Sequence, residues 1–144
     1  MKKILIIGAG GQIGSELTTR LRSVYGNDNV VATDMRECPA LAADGPFVQL
    51  NALDGEAYAE VVKKYKVDAI YNLVALLSAV GEANPQKAWQ INMGALMNSL
   101  EIAREYNCAL FTPSSIGAFG PNSPKEKTPQ DTVMRPTTIY GVCK

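Results

Sequence analysis

A tyrosine and a lysine stand four positions apart near the end of the sequence, as Tyr140 and Lys144. Side chains at positions i and i+4 of an α-helix share one face, so a helix here would place the ammonium beside the phenol. A nearby cation stabilises a phenolate, which could then take a proton from an alcohol as a general base. The pair predicts acid–base chemistry, with an ordinary solvated helix face as the alternative.

Serine hydroxyls follow two of the segments that we interpret as strands. Ser114 and Ser115 follow the fifth such segment, and Ser78 follows the fourth. Open α/β sheets bind ligands at the carboxyl ends of their strands, so these hydroxyls are candidates for holding a substrate. Ser78 is a candidate for contacting a substrate carboxylate, and the alternative is a loop serine that bonds its own backbone.

A glycine-rich segment near the N terminus has the spacing of a dinucleotide-binding loop. Gly8, Gly11 and Gly14 lie between an aliphatic run at residues 3–7 and a segment of helical periodicity. Such glycines allow a tight turn, let backbone amides approach a pyrophosphate, and let the helix pack closely on the strand. The helix N terminus adds a partial positive charge that favours phosphate. The segment therefore predicts a dinucleotide cofactor.

An acidic residue, Asp34, closes the second predicted strand 20 residues after Gly14. A carboxylate at this position accepts hydrogen bonds from the adenosine ribose and repels a 2′-phosphate, which favours NAD over NADP. Arg36 weakens this preference, because an arginine close by could bind the same phosphate. We predict NAD as the cofactor and leave open how strictly NADP is excluded.

The predicted elements that position these groups alternate between strands and helices, which is typical of a parallel sheet covered by helices. One helix follows the glycine loop, where Ile13, Leu17, Leu21 and Val24 recur at helical spacing. We expect a doubly wound, Rossmann-like α/β fold with strand order 3-2-1-4-5. The predicted strands are 3–7, 29–33, 47–50, 69–74 and 109–112, and the other helices are 56–64 and 88–106.

The pattern changes in residues 113–136, which contain five of the eight prolines and show no periodicity. Long loops in compact domains are usually functional. A new helix is predicted to begin after Pro136. We expect residues 1–144 to be an incomplete NAD-binding Rossmann domain, lacking its last strands and a substrate-binding part, and to be inactive alone.

Composition argues against several classes of protein. The 144 residues are 47% hydrophobic and 19% charged, as in ordinary globular domains. Because 14 basic residues balance 14 acidic ones, neither nucleic acid nor an anionic membrane is an expected partner. Histidine is absent, and Cys38, Cys108 and Cys143 have no CxxC spacing, so we expect reduced thiols, a cytoplasmic location and no metal site.

Taken together, the motifs resemble those of the extended short-chain dehydrogenases/reductases over the whole chain. More narrowly, the chain resembles the short-chain type of L-threonine 3-dehydrogenase in the segments 75–79, 81–82, 119–121, 123–125, 128–129 and 135–141. Asn51 and Cys143 depart from the family pattern, in which aspartate and serine are common. The residues that carry the broader resemblance are Gly8, Gly11 and Gly14, the segments 72–75 and 113–120, Asn92, Ser115, Tyr140 and Lys144.

This resemblance implies NAD-dependent oxidation of L-threonine at its 3-hydroxyl to 2-amino-3-oxobutanoate, by an enzyme that is a homodimer when full length. Ser115, Tyr140 and Lys144 would be catalytic, and Ser78, Ser115 and Tyr140 would contact the substrate. No metal is needed, because the phenolate supplies the base and NAD accepts the hydride. The implied cofactor-binding residues are Gly8, Gly11, Gln12, Ile13, Gly14, Asp34, Leu73, Ala75, Asn92, Tyr140 and Lys144.

Two alternatives remain for the function. One is a nucleotide-sugar epimerase or dehydratase of the same superfamily that uses tightly held NAD. The other is an NAD-binding module without turnover, which would need only the glycine loop and Asp34. The complete set of serine, tyrosine and lysine argues against the module, and product analysis would separate the two enzymes.

Overall fold

The structure is a computed structural model that describes residues 3–144. Within this range the strands are β1 (Ile4–Ile7), β2 (Val30–Asp34), β3 (Phe47–Gln49), β4 (Ala69–Asn72) and β5 (Ala109–Phe111). The α-helices are α1 (Gln12–Tyr25), α2 (Pro39–Ala43), α3 (Gly55–Tyr65), α4 (Ser78–Ala83), α5 (Pro85–Tyr106) and α6 (Ile139–Val142). Short 3-10 helices span Asn27–Asn29 and Ile116–Ala118.

The described strands form a parallel sheet in the order β3-β2-β1-β4-β5, which confirms the predicted fold class. Ile7 at the end of β1 lies opposite Thr33 of β2 and Asn72 of β4. The loops that follow these strands therefore leave the sheet at the same edge. The strand order reverses beside β1, and ligands of open α/β sheets bind at such a reversal.

β1 is buried on both faces, which explains its continuous aliphatic sequence. Successive side chains of a strand point to opposite faces of the sheet, so β1 contributes to two apolar clusters. Leu5 and Ile7 pack in the cluster that includes Tyr58 of α3 and Ile102 of α5. Ile4 and Ile6 pack in the other cluster, against which Leu17 and Leu21 of α1 lie.

The buried face of α1 includes only part of the apolar pattern that predicted this helix. Ile13 is 66% exposed and Val24 is 55% exposed, whereas Gly14, Thr18 and Arg22 are buried. Of the four apolar residues at helical spacing, Leu17 and Leu21 pack against the sheet. The spacing therefore predicted the helix but not its whole buried face.

Arg22 is buried because backbone carbonyl groups surround its guanidinium. Its Nη1 donates to the carbonyl oxygen of Leu41 at 2.6 Å, and its Nη2 donates to that of Pro46 at 2.8 Å. Burial lowers the pKa of Arg22, and the nearby charge of Asp44 partly opposes this. The arginine therefore joins α1 to α2 and to the segment before β3.

The chain forms two compact units. The first comprises the residues up to Val74 and Gly94–Thr112, and it contains the sheet with α1, α2 and α3. The second comprises Ala75–Met93 and Pro113–Lys144, and it contains α4 and α6. Among residues 3–144, no helix has both the length and the apolar character needed to cross a membrane.

Candidate active site

The glycine loop joins β1 to α1 in the first unit, and two of its glycines are required by the turn. Gly8 has φ of 82°, a left-handed conformation that side chains disfavour. Its amide and that of Ala9 donate to the carbonyl oxygen of Thr33 at 2.9 and 2.8 Å. A Cβ at Gly14 would overlap the Gly8 carbonyl oxygen, so the helix could not approach the strand as closely.

Packing among residues 3–144 does not require a glycine at position 11. Within this range, a Cβ on Gly11 would meet only the Gly8 carbonyl oxygen, at an ordinary contact distance of 3.4 Å. Gly11 is the N-cap residue of α1, whose first turn has no acidic residue and whose N terminus receives no side-chain cap from residues 3–144. An open helix N terminus of this kind favours a phosphate, so the loop fits the pyrophosphate of NAD.

Three further residues predicted to bind the cofactor lie at this loop. Gln12 and Ile13 open α1, and both are exposed. Leu73 donates its amide to the Ile7 carbonyl oxygen at 2.9 Å, which extends the pairing of β1 with β4. A Cβ on Gly8 would lie 3.2 Å from the carbonyl carbon of Leu73, so the structure brings Leu73 against the glycine loop.

The carboxylate of Asp34 is buried and is held by the glycine loop and by Arg36. Oδ2 accepts a hydrogen bond from the Gly10 amide at 2.9 Å. Oδ1 accepts from the Arg36 amide at 3.0 Å and from Arg36 Nε at 3.2 Å. Burial raises the pKa of the neighbouring Cys38 thiol, with a smaller contribution from the Asp34 charge. The acidic group predicted at this strand end is therefore beside the loop.

Tyr140 and Lys144 lie together in the second unit. Lys144 Nζ is 5.6 Å from the centroid of the Tyr140 ring, within the range of a cation–π interaction. It also donates to the Pro113 carbonyl oxygen at 3.2 Å. α6 ends at Val142, so the two side chains meet although Lys144 lies just beyond the helix. Burial lowers the pKa of Lys144.

The two serines after β5 have different hydrogen bonds. Ser114 Oγ donates a hydrogen bond to the Lys144 carbonyl oxygen at 2.9 Å, so the hydroxyl proton of Ser114 is already used. Ser115 Oγ accepts from the Gly117 amide at 3.1 Å and caps the 3-10 helix, so this bond leaves its proton available. An available hydroxyl proton is what a group that holds a substrate oxygen needs, and Ser115 is the residue that the sequence favoured.

Glycines allow the Ser115 and Tyr140 segments to touch. A Cβ at Gly141 would overlap the Gly117 carbonyl oxygen. A Cβ at Gly117 would lie 3.3 Å from Cδ1 of the Tyr140 ring. Neither Gly117 nor Gly141 was among the site residues predicted from the sequence. Their role follows from backbone contact between distant segments, which sequence spacing does not reveal.

Sequence reasoning also missed two residues that hold the first turn of α6. Thr138 accepts a hydrogen bond from the Gly141 amide at 3.0 Å and caps the helix. Glu82 Oε1 accepts from the Tyr140 amide at 3.4 Å. A threonine just before a predicted helix is a recognised N-cap signal and could have been found. The Glu82 contact joins residues far apart in sequence, so no local pattern predicts it.

Asn92 braces the segment that follows β4. Its Oδ1 accepts from the Leu76 amide at 2.6 Å, and its Nδ2 donates to the Leu76 carbonyl oxygen at 3.2 Å. Burial raises the pKa of the Cys143 thiol, while a hydrogen bond with Asn92 and the charge of Lys144 lower it. Ala75 adjoins the braced segment, and Ser78 is exposed at the start of α4.

The parallel sheet and its glycine loop are typical of Rossmann-type proteins that bind a dinucleotide. Residues 4–144 match the model of the NAD dependent epimerase/dehydratase family, and the chain belongs to that family. NAD is the cofactor of the family, which confirms the predicted cofactor.

Relatives of known sequence share more than half of the aligned residues. A Staphylococcus saprophyticus protein described as an uncharacterized epimerase/dehydratase is 56% identical over 146 residues, covering 100% of this chain and 46% of its own length. A Staphylococcus aureus protein with the same description is 53% identical, with the same coverage. The chain therefore spans about half the length of these relatives.

Solved structures of similar fold include L-threonine dehydrogenases. The enzyme from Clostridium difficile is 54% identical with a TM-score of 0.95, over 99% of this chain and 46% of that chain. The holo form of the L-threonine dehydrogenase from Cupriavidus necator is 47% identical, with a TM-score of 0.93. The match covers 98% of this chain and 46% of that chain. A UDP-glucose 4-epimerase from Thermotoga maritima is 23% identical, with a TM-score of 0.87, and the match covers 99% of this chain and 47% of that chain. At this identity the match indicates a shared fold and nothing about function.

Proposed function

We propose that the full-length protein is an NAD-dependent L-threonine 3-dehydrogenase that oxidises the 3-hydroxyl to give 2-amino-3-oxobutanoate. One observation supports this choice of substrate above the others. The chain is 54% and 47% identical to the two L-threonine dehydrogenases but 23% identical to the UDP-glucose 4-epimerase. The groups of the second unit support the reaction type.

In this proposal Tyr140 is the general base. Its phenolate takes the proton of the 3-hydroxyl, and Lys144 stabilises the phenolate through its charge. The 5.6 Å separation of Lys144 Nζ from the ring centroid supports this pairing. NAD, when bound, accepts the hydride from carbon 3 of the substrate.

Hydroxyl groups position the substrate in the same proposal. Ser115 donates a hydrogen bond to the reacting oxygen, for which its proton is available. Ser78 contacts the substrate carboxylate, as its exposed position at the start of α4 allows. Both groups would act by holding the reacting carbon in one orientation, which lowers the entropic part of the barrier.

The proposed NAD contacts are divided among several segments. The backbone of the glycine loop, from Gly8 through Gln12 and Ile13 to Gly14, binds the pyrophosphate at the start of α1. Asp34 accepts hydrogen bonds from the adenosine ribose. The remaining contacts that we propose are those of Leu73, Ala75, Asn92, Tyr140 and Lys144.

A comparison of two substrates tests the proposal. Full-length protein is incubated with NAD and either L-threonine or UDP-galactose, NADH formation is followed, and the products are identified. We expect NADH and 2-amino-3-oxobutanoate with threonine, and no conversion of UDP-galactose. Conversion of UDP-galactose to UDP-glucose without threonine-dependent NADH would replace this function with an epimerase, as the family name allows.

The homodimeric state implied by the resemblance and the cytoplasmic location expected from the cysteines also belong to this proposal. Light scattering on the full-length protein measures the oligomeric state, and we expect the mass of two chains. A monomer would remove the dimer from the proposal without affecting the reaction.

A further inference from the structure

The buried Arg22 of α1 holds three separate segments of the first unit through their backbone. Arg22 is 4% exposed, and its Nη1 and Nη2 donate to the carbonyl oxygens of Leu41 and Pro46 at 2.6 and 2.8 Å. Its Nε lies 3.4 Å from the carbonyl oxygen of Val30, at the start of β2. A planar fork of five N–H donors suits acceptors in several directions better than the single ammonium of a lysine.

The helix α2 depends on such contacts because it is only five residues long. A helix of this length is not stable by itself, so tertiary contacts decide where it lies. Leu41 packs its side chain in an apolar cluster and gives its carbonyl oxygen to Arg22. The last carbonyl groups of a helix have no partner within it, and the guanidinium supplies one. The C-terminal end of α2 is therefore fastened to α1.

The N-terminal end of α2 lies against the glycine loop. Cys38 is the N-cap residue of α2, and its carbonyl oxygen accepts from the Ala42 amide at 3.0 Å. A Cβ on Gly10 would lie 2.7 Å from Cys38 Sγ and 2.9 Å from Asp34 Oδ2, so both side chains pack directly on the loop backbone. About one turn of helix separates the contact with Gly10 from the contact with Arg22.

We propose that Arg22 is a positioning residue for the adenosine end of the NAD site and that it acts through α2. By fixing the C-terminal end of α2, it keeps Cys38 packed on Gly10 and so keeps the Gly10 amide bonded to Asp34. The glycine loop and the carboxylate are then ordered before NAD binds, which lowers the cost of binding. This inference rests on the NAD contacts that we propose for the loop and Asp34.

Two substitutions in the full-length protein disturb this anchor in different ways. Arg22→Lys keeps a cation but removes the planar fork. Gly45→Ala keeps the arginine but places a Cβ 2.9 Å from its Cζ, so the guanidinium must move. Calorimetry measures the affinities for NAD and for AMP, which carries the adenosine and one phosphate. We expect both variants to bind both ligands about tenfold more weakly, the scale of one lost charge-assisted hydrogen bond.

Steady-state kinetics separate a positioning role from a general loss of structure. In both variants we expect the KM for NAD to rise, while kcat at saturating NAD changes little, because the effect is confined to cofactor binding. Failure of the proposed function looks different. Wild-type protein would then not oxidise threonine, whereas the affinities for NAD and AMP would still be measurable.

Tyr58→Phe is the matched control, because it weakens the same unit at another place. Tyr58 Oη lies 3.1 Å from Ser99 Oγ in the apolar cluster on the other face of the sheet, and both side chains are buried. We expect urea denaturation to show a loss of stability in this variant, with the affinities for NAD and AMP unchanged.

Two results would overturn the inference. Wild-type affinity for NAD and AMP in folded Arg22→Lys or Gly45→Ala protein would leave Arg22 with a purely structural role. An equal loss of affinity in Tyr58→Phe would show that destabilisation alone explains the effect. Circular dichroism checks that each variant is folded, and if one of the two substitutions prevents folding, the other decides.

Discussion

Lys144 Nζ lies 5.6 Å from the centroid of the Tyr140 ring and is tied to the Pro113 carbonyl oxygen by a hydrogen bond of 3.2 Å. The bond to Pro113 joins the cation to the backbone that leads into Ser115. The position of the charge beside the phenol therefore depends on the segment after β5 as well as on α6.

Replacing Tyr140 by phenylalanine should abolish most of the activity and leave NAD binding intact. The variant keeps the ring, which lies beside Gly117, but loses the hydroxyl that we propose as the general base. We expect turnover of threonine to fall by at least about 10²-fold, the usual contribution of a general base. Steady-state kinetics and calorimetry with NAD measure the two quantities, and near-normal turnover would remove Tyr140 from the mechanism.

The activity should decline on the alkaline side because of Lys144. Its pKa is lowered by burial, and the ammonium is present below that pKa and lost above it. The charge that we propose to stabilise the phenolate is therefore lost at a lower pH than the charge of an exposed lysine. We expect kcat/KM to fall as the pH rises through this value.

Arginine at position 144 provides the comparison, because its charge persists to much higher pH. In the Lys144→Arg variant the alkaline decline should move to higher pH, even if the maximal rate is lower. Identical pH profiles for the two proteins would show that another group controls the decline. Burial of the Lys144 charge also lowers the free energy of unfolding. This cost is full below the lowered pKa, and it disappears as the pH rises from that value to the ordinary pKa of lysine in the unfolded chain.

A methyl group at Gly141 should disrupt the contact between the Ser115 and Tyr140 segments. The added Cβ would overlap the backbone carbonyl oxygen of Gly117, which has no flexible end to move away. We expect Gly141→Ala to cost about 1–3 kcal/mol in the free energy of unfolding and to reduce turnover as well.

Gly55→Ala is the matched control for this substitution. A Cβ at Gly55 would lie 3.6 Å from the Asn98 side chain, an ordinary contact. Urea denaturation and threonine kinetics of both variants compare the effects. If Gly141→Ala behaves like Gly55→Ala, the close approach of the two segments does not matter for stability or catalysis.

Removing the Asn92 side chain should destabilise the segment after β4. Asn92→Ala would leave both the amide and the carbonyl of Leu76 without their partner, at about 1–3 kcal/mol for each group that remains unpaired. Asn98→Ala on the same helix removes one bond, to the Ala52 carbonyl oxygen, and should cost less. Chemical denaturation gives both values, and equal losses would contradict the bracing role of Asn92.

Much of the fold could be predicted from the sequence alone because its signals are local. A continuous aliphatic run predicts β1, since a strand covered on both faces needs apolar side chains throughout. The glycine loop followed by a periodic segment predicts the turn into α1 and, with it, the dinucleotide cofactor. The strand order and NAD were both confirmed. The roles of the individual site residues stay predictions.

The sequence indicated the short elements and the helix faces less well. α2 and α4 were not predicted, because five or six residues are too few to show a period. On α1, Gly14 and Arg22 are buried and Ile13 is exposed, so the buried face of this helix does not follow hydrophobicity alone. A close helix–strand contact and a ring of backbone carbonyl acceptors outweigh hydrophobicity at these positions.

The amino-acid types and their spacing determined which chemical groups are available: glycines for a phosphate, a carboxylate for a ribose, and a phenol with a cation for proton transfer. Only the tertiary structure decided which of these groups are already engaged. Asp34 pairs with Arg36, Ser114 bonds the Lys144 backbone, and Ser115 keeps its proton available. The packing of distant segments decides these hydrogen-bond partners. Hydrogen bonds between such segments do not produce a periodic pattern in the sequence, so the sequence does not predict them.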